Sequence, residues 1–168
     1  LIVTTAKGMG NGVGIIGAVI SKKSIADAFS NKMFFNTYSG NPVACTAALN
    51  VLKVFEEEDI LNNCYKQSIL FKNKIGLICK EYPEVFKEIR GGGLFLGLEV
   101  SGDTIEESIT KTNILQKMLL KKNILIGKGS AMDNVFRIQP PMCITTQSVN
   151  KEIDAFREVV FDYSKSLQ

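Results

Sequence analysis

The sequence predicts the tail of an α/β domain up to about residue 60, followed by a smaller α+β domain with a mixed or antiparallel sheet. Three observations support this fold class. Two short β-branched runs flank a glycine-dense loop, two long helical patterns follow, and strand-like segments return after Pro83. We therefore assign residues 1–60 to the first domain and residues 61–168 to the second.

The first domain begins with strands predicted at residues 1–5 and 15–20. The first run, LIVTT, is apolar and β-branched, so we expect it to be a buried strand. A short helix is predicted at residues 24–29. Asn41 is a favourable N-cap and Pro42 suits the first helical position, so a helix is predicted from there to about residue 56.

The second domain is predicted to begin with a long helix at residues 59–80, which Pro83 ends. Apolar residues that recur every three or four positions between Val149 and Leu167 predict an amphipathic final helix. Between these helices the pattern predicts strands at 85–90, 94–100, 124–126 and 135–139, and a helix at 105–121.

Composition excludes several kinds of function. The 168 residues contain no histidine, which removes Ser/His/Asp and Cys/His nucleophilic systems and histidine-ligated metals, and no metal site is predicted. Basic and acidic residues number 20 and 17 and form no long run of one sign, so neither a nucleic-acid nor a membrane partner is predicted. No apolar run approaches the roughly 20 residues that span a bilayer.

The cysteines and the beginning of the chain also carry expectations. The four cysteines lack C-x-x-C spacing and lie in apolar stretches, which predicts reduced structural residues of the core. The chain opens inside a strand pattern without an initiator methionine. We expect a fragment of a longer protein, whose targeting segment would be missing.

Three residues are candidates for a functional site. Lys7 ends the first predicted strand beside glycines that let a bulky ligand approach, and a desolvated amine there would be a nucleophile; the alternative is a solvated surface lysine. Thr37 lies shortly before a helix start, where hydroxyl and N–H groups bind anions, or it is simply a turn residue. Arg137 alternates with Phe136 and Ile138, so it lies on the opposite strand face, available to a carboxylate or only solvated.

These motifs, taken in order, resemble class III (omega) aminotransferases of the pyridoxal 5′-phosphate (PLP) fold type I. Residues 3–12 (VTTAKGMGNG) are similar to the segment whose lysine holds the cofactor, and residues 35–42 (FNTYSGNP) to the phosphate-contacting threonine turn. Residues 89–97 (IRGGGLFLG) are similar to an arginine-glycine strand pair of the small domain. The chain then resembles the C-terminal part of the large domain followed by the small C-terminal domain.

The resemblance implies a role for each candidate residue. Lys7 would be the catalytic lysine that holds PLP, Thr37 would contact the phosphate in the neighbouring subunit, and Arg137 would bind the substrate carboxylate. It also implies a homodimer with active sites at the subunit interface, and amino-acid and keto-acid substrates. The family's other cofactor-binding residues belong upstream of Leu1, so the chain alone is expected to be inactive.

Residues 127–130 (GKGS) and 136–145 (FRIQPPMCIT) look most like the mitochondrial alanine-glyoxylate branch, which implies transfer from alanine to glyoxylate or pyruvate and a mitochondrial location. A related branch of PLP phospho-lyases generally lacks the arginine matched by Arg137. A catalytically inert truncated chain that acts as a binding or assembly module is a further alternative. Residues 13–16 (VGII) lack the proline usual in the family, so we expect a reshaped loop there.

Overall fold

The chain forms two compact units, Leu1–Asp59 and a second that begins at Ile60. A computed structural model describes residues 1–129 and 131–166. Leu167, counted above in the final helix, and Ser130 of the GKGS segment lie outside these residues. The α/β class with an α+β second part is confirmed by the helices and sheets of the two units.

The first unit contains one small antiparallel sheet. Strand β1 pairs with β2 so that Thr5 lies opposite Ala18. A 3-10 turn follows β1 directly, and two helices follow β2. The bounds are β1 Ile2–Thr5, the 3-10 turn Lys7–Gly10, β2 Ala18–Ser21, α1 Lys23–Phe29 and α2 Pro42–Glu57.

The predicted strand at residues 15–20 begins later than expected. The ladder starts at Ala18 because Thr5 is the last residue of β1 that pairs. Just before it, the backbone runs so close to β1 that a Cβ on Gly17 would lie 3.0 Å from the Thr5 carbonyl oxygen. Residues 15–17 therefore approach the sheet without joining it.

The prediction that the first strand is buried is wrong. Ile2 is 57% exposed and Val3 is 40% exposed. A strand is buried on both faces only when other elements cover both, and β1 has a single neighbouring strand, β2, in a two-stranded sheet. The β-branched residues thus indicated the strand correctly but not its surroundings.

The start of α2 is the best-defined feature of the first unit. The Asn41 side-chain oxygen accepts hydrogen bonds from the N–H groups of Val43 and Ala44 at 3.0 and 3.2 Å, which confirms the predicted N-cap. Ala44 is buried, and a Cβ on Gly14 would lie 2.6 Å from the Ala44 Cα. The loop after the glycine segment therefore packs directly on α2, and only glycine fits at position 14.

The second unit is a four-stranded antiparallel sheet with helices. The strand order is β3-β4-β6-β5, and each neighbouring pair is antiparallel. Its elements are α3 Ile60–Glu81, β3 Phe86–Gly92, β4 Phe95–Val100, α4 Ile105–Lys121, β5 Gly127–Lys128, β6 Val135–Ile138 and α5 Thr146–Lys165. The helix predicted at 105–121 is confirmed to the residue.

One face of this sheet and the three helices share a hydrophobic core. Leu98 of β4 and Phe136 of β6 are fully buried, and so are Leu115 of α4 and Val149 of α5. Phe86 packs edge-to-face on Phe136 with ring centroids 6.4 Å apart. Since this core lies within the second unit, that unit has its own source of stability.

The strand predicted at residues 124–126 is wrong, and the strand lies instead at Gly127–Lys128. The Ile124 N–H donates to the carbonyl of Leu119 and so closes the end of α4. The Ile126 carbonyl accepts from the Gln116 side chain at 2.8 Å. These backbone groups are used by α4, so they are not available to a strand ladder.

The cysteines are unpaired, as predicted, but they are not all core residues. Cys79 is buried, Cys45 and Cys64 are half-buried, and Cys143 is exposed. Cys143 lies shortly after two prolines in the connection between β6 and α5, outside any helix or strand. Its apolar sequence neighbours therefore misled the prediction of burial.

Candidate active-site residues and family membership

Lys7 lies immediately beyond β1, where the chain turns sharply. Its φ of 55° is in the left-handed region, which is unfavourable for residues other than glycine. The Lys7 side chain is exposed and makes no hydrogen bond or ion pair with any residue in the described part of the chain. The strained backbone therefore presents a free amine at a strand end, as functional residues often do.

The space around Lys7 is open. A Cβ on Gly8 would have no atom within 4 Å, and the next turn residue, Met9, accepts a 3.2 Å hydrogen bond from the Thr5 hydroxyl through its sulfur. Asn11 also adopts the left-handed conformation, with φ of 46°. The turn is held from the β1 side, which leaves room for a ligand beside the lysine.

Thr37 begins the turn at residues 37–40 and is exposed. The preceding residue, Asn36, organises this turn because its side chain accepts from the Tyr38 N–H at 3.0 Å and its carbonyl from the Ser39 N–H at 3.1 Å. Thr37 is thus fixed in position while its hydroxyl stays available. Such a hydroxyl is a suitable donor to an anion.

The amides at the start of α2 are already occupied. Asn41 caps Val43 and Ala44 with its side chain and Cys45 with its carbonyl, at 2.9 Å for the last contact. An anion beside Thr37 would therefore be bound by the turn and not by the α2 N-terminus.

Arg137 is the one exposed residue of β6, between the buried Phe136 and Ile138. The predicted alternation is confirmed. Arg137 pairs with Gly97 of β4 and with Gly127 of β5. A Cβ on Gly127 would lie 3.4 Å from an Arg137 terminal nitrogen, so the guanidinium lies along the β5 backbone, where no side chain obstructs it.

The Arg137 guanidinium has no carboxylate partner among the described residues. Arg90 on β3 differs, because it is ion-paired with Glu88 at 2.7 Å and also with Glu99. Hydrogen bonds from Lys87 and Arg90 lower the pKa of Glu99. Arg90 is therefore committed to the sheet, whereas Arg137 is free to bind a ligand anion.

A groove of about 560 Å³ lies at the β5 edge of the sheet and is bounded by residues 123–127, 137–141, Glu152 and Phe156. Burial raises the pKa of Glu152. Glu152 was not among the residues predicted from the sequence, although its spacing is informative: it lies three residues after Val149 and four before Phe156, on the apolar side of α5. Its carboxyl group is accordingly half-buried.

The structure places the three predicted residues in two different units. Lys7 and Thr37 belong to the first unit, and Arg137 belongs to the second. The described residues contain no group of three His, Cys, Asp or Glu side chains that could hold a metal ion. In the same part of the chain, no helix has the length and hydropathy that a membrane span needs.

Comparisons with known proteins identify the family. Residues 2–160 match the model of aminotransferase class-III. A mitochondrial alanine-glyoxylate aminotransferase 2 homologue of Arabidopsis thaliana is 38% identical over 98% of this chain and 34% of its own length. An ethanolamine-phosphate phospho-lyase homologue of Caenorhabditis elegans is 34% identical over 95% of this chain and 34% of its own length.

A solved structure has the same fold. The ornithine aminotransferase of Toxoplasma gondii, with PLP at partial occupancy in its active site, superposes with a TM-score of 0.84 at 26% identity, over 98% of this chain and 37% of its own. The chain spans about a third of the length of the curated relatives that it matches. Because the family match extends over nearly the whole chain, this protein belongs to the class III aminotransferase family.

Proposed function

We propose that this chain is the C-terminal part of a PLP-dependent aminotransferase that moves an amino group from an amino acid such as alanine to a keto acid such as glyoxylate or pyruvate. The family match and the relative named as an alanine-glyoxylate aminotransferase support this function. The main structural support for this function is the position of Lys7, which presents an unpaired amine on strained backbone at the end of a strand.

The chain's residues fit the cofactor by their chemistry. PLP has an aldehyde that reacts with an amine and a phosphate that needs donors, and bound PLP supplies an electron sink for the substrate carbanion. Lys7 is exposed beside open space at Gly8, and Thr37 is exposed on an ordered turn. In this proposal Lys7 holds the cofactor and Thr37 contacts its phosphate.

Lys7 has a second role in the proposed reaction. When it is not holding the cofactor, its Nζ would be available to take a proton from the substrate Cα and return one later. The side chain is available for this role, because it is exposed and makes no hydrogen bond or ion pair with the described residues.

Arg137 is proposed to bind the substrate carboxylate. Its guanidinium has two parallel N–H donors that match a carboxylate, and no protein carboxylate competes for them among the described residues. Orientation of the substrate by such a fork lowers the entropy loss of the reaction step.

We also propose a domain assignment, an assembly and a location for this protein. The two units would correspond to the end of the PLP-binding large domain, residues 1–60, and the small C-terminal domain, residues 61–168. The exposed apolar residues of β1 support a partner surface or further sheet there, and we propose a homodimer with Thr37 acting across the interface. The mitochondrial location of the named relative suggests the same compartment.

A PLP-dependent phospho-lyase is the second candidate function. The relative named as an ethanolamine-phosphate phospho-lyase is 34% identical, so identity does not separate the two activities. Arg137 favours aminotransfer, since the phospho-lyase branch that the chain also resembles generally lacks the arginine at this position. Amino-acid donors and phosphoethanolamine, offered to the same preparation, distinguish the two by the release of keto acid or inorganic phosphate.

The proposed function is tested on the complete polypeptide, loaded with PLP and reduced with borohydride before peptide mapping. We expect the reduced label on Lys7 and none on Lys22 or Lys23, which are also exposed. A Lys7→Arg variant keeps the charge and should take up no label. A label spread over several surface lysines, or full turnover in Lys7→Arg, would contradict the assignment.

The coding sequence upstream of Leu1 separates the enzyme from an inert truncated module. A glycine-rich phosphate-binding loop and an aspartate for the pyridine nitrogen are expected there. A stop codon or an unrelated sequence at that place would support the binding or assembly module and would agree with an inactive chain.

A further inference from the structure

Cys64 and Cys143 lie next to each other although 79 positions separate them. The Cys64 thiol donates to the carbonyl oxygen of Met142, the residue just before Cys143, at 3.7 Å. From standard peptide dimensions, the Cys143 Cα is then within about 6.5 Å of the Cys64 sulfur. Both residues belong to the second unit, Cys64 on α3 and Cys143 between β6 and α5.

The backbone on both sides of Cys143 is held against α3. The Asn63 side-chain amide donates to the carbonyls of Met142 and Ile144, at 2.8 and 3.1 Å. Ile144 is buried, so it anchors the segment in the core. The position of Cys143 beside Cys64 is therefore fixed by three hydrogen bonds and a buried side chain.

The two thiols differ in access to solvent. Cys143 is exposed and Cys64 is half-buried. Burial raises the pKa of the Cys64 thiol, and a further contribution comes from the charge of Cys143, which agrees with their closeness. An incoming reagent therefore meets Cys143 first, and Cys64 is placed to react second.

We propose that Cys64 and Cys143 are a redox-active pair that is converted to an intramolecular disulfide by a small-molecule disulfide such as oxidised glutathione. The Cys143 thiolate attacks one sulfur of the reagent and expels one thiolate, which leaves a mixed disulfide. Cys64 gives up its proton and attacks the Cys143 sulfur, which expels the second thiolate. The protein thus loses two hydrogens, and the reagent becomes two thiols.

Such a cross-link would join α3 to the segment that follows β6, the strand that carries Arg137. The proposal does not depend on PLP or on aminotransfer. A disulfide would be found whether or not Lys7 binds the cofactor, so failure of one proposal leaves the other standing.

The test is titration of the reduced chain with oxidised glutathione, alkylation of the remaining thiols, tryptic digestion and mass spectrometry. Cys64 lies in the tryptic peptide 54–66 and Cys143 in the peptide 138–151. We expect these two peptides to be joined by a disulfide and the other two cysteines, Cys45 and Cys79, to be alkylated. The yield of the joined peptides should be independent of protein concentration.

Three variants separate the possible results. Cys143→Ser should abolish the cross-link and leave Cys64 largely unmodified, whereas Cys64→Ser should stop Cys143 at the mixed disulfide. Cys45→Ser is the matched control, since Cys45 is half-buried in the first unit, and it should keep the cross-link. A stable mixed disulfide on Cys143 of the unaltered chain, or a cross-link formed only between molecules, would overturn the proposal.

Discussion

Arg137→Ala in the complete polypeptide is expected to raise the KM for amino-acid donors strongly. A charge-assisted hydrogen bond contributes about 1.5 to 3 kcal/mol. If each of the two hydrogen bonds from the guanidinium contributes about 1.5 kcal/mol, their loss weakens substrate binding by about 3 kcal/mol. This corresponds to a KM increase on the order of 100-fold. Arg137→Lys keeps the charge but loses the fork, so an increase of about tenfold is expected.

The structure predicts that this change leaves the fold intact. Arg137 is exposed and its guanidinium has no carboxylate partner in the described parts of the chain, so its removal should change the free energy of unfolding by only about 0.5 kcal/mol. Arg157→Ala is the matched control, because Arg157 is a partly exposed arginine of the same unit, ion-paired with Glu81 at 2.8 Å. It should leave KM unchanged.

Steady-state kinetics and thermal unfolding of the same preparations measure both effects. A donor amine that lacks a carboxylate sharpens the comparison, since its KM should not respond to Arg137→Ala. The carboxylate-binding role is refuted if KM for amino acids is unchanged, or if it rises equally for the donor without a carboxylate.

Three further predictions concern stability. Phe136→Ala removes a fully buried ring and should lower the free energy of unfolding by about 3 to 5 kcal/mol in urea titration, and a loss under 1 kcal/mol would contradict the assigned core. Gly14→Ala places a Cβ 2.6 Å from Ala44 Cα and should reduce hydrogen-exchange protection at the start of α2, whereas Gly8→Ala meets no atom within 4 Å and should not. Because burial raises the pKa of Glu152, the free energy of unfolding should fall as pH rises from the pKa of this carboxyl in the unfolded chain to its pKa in the folded chain. Glu152→Gln should remove this fall and stabilise the chain at neutral pH. If the variant keeps the same pH profile of unfolding, this assignment is refuted.

The helices were predictable from the sequence because their determinants are local. Asn41 and Pro42 start α2 through a side-chain cap and a fixed φ, and the helix at residues 105–121 is capped by Thr104, whose hydroxyl accepts from the Glu107 N–H at 3.1 Å. Such contacts span three or four residues and leave a pattern that can be read along the chain.

The strands were predicted less well because their determinants are distant. Burial of Ile2 and Val3 depends on elements other than their own strand. The position of β5 depends on which backbone groups before it are hydrogen-bonded to α4, such as the Ile126 carbonyl. Neither effect is visible in a local pattern. The order of the strands in the sheet, β3-β4-β6-β5, was likewise beyond sequence patterns.

The candidate residues were predictable to different extents. The alternation around Arg137 indicated its exposed face directly, since the period of a strand is two residues. Glu152 was missed because a charged residue on an amphipathic helix normally lies on the solvated face. The neighbourhood of Cys64 and Cys143 was invisible, because hydrogen bonds from α3 to residues 142 and 144 create it.

The left-handed backbone at Lys7 means that the fold is locally frustrated at this residue. Glycine would adopt the same φ without the roughly 1 to 2 kcal/mol that a side chain adds there. A library of variants selected for heat resistance alone should therefore enrich glycine at position 7. Selection for turnover should restore lysine, at a lower melting temperature.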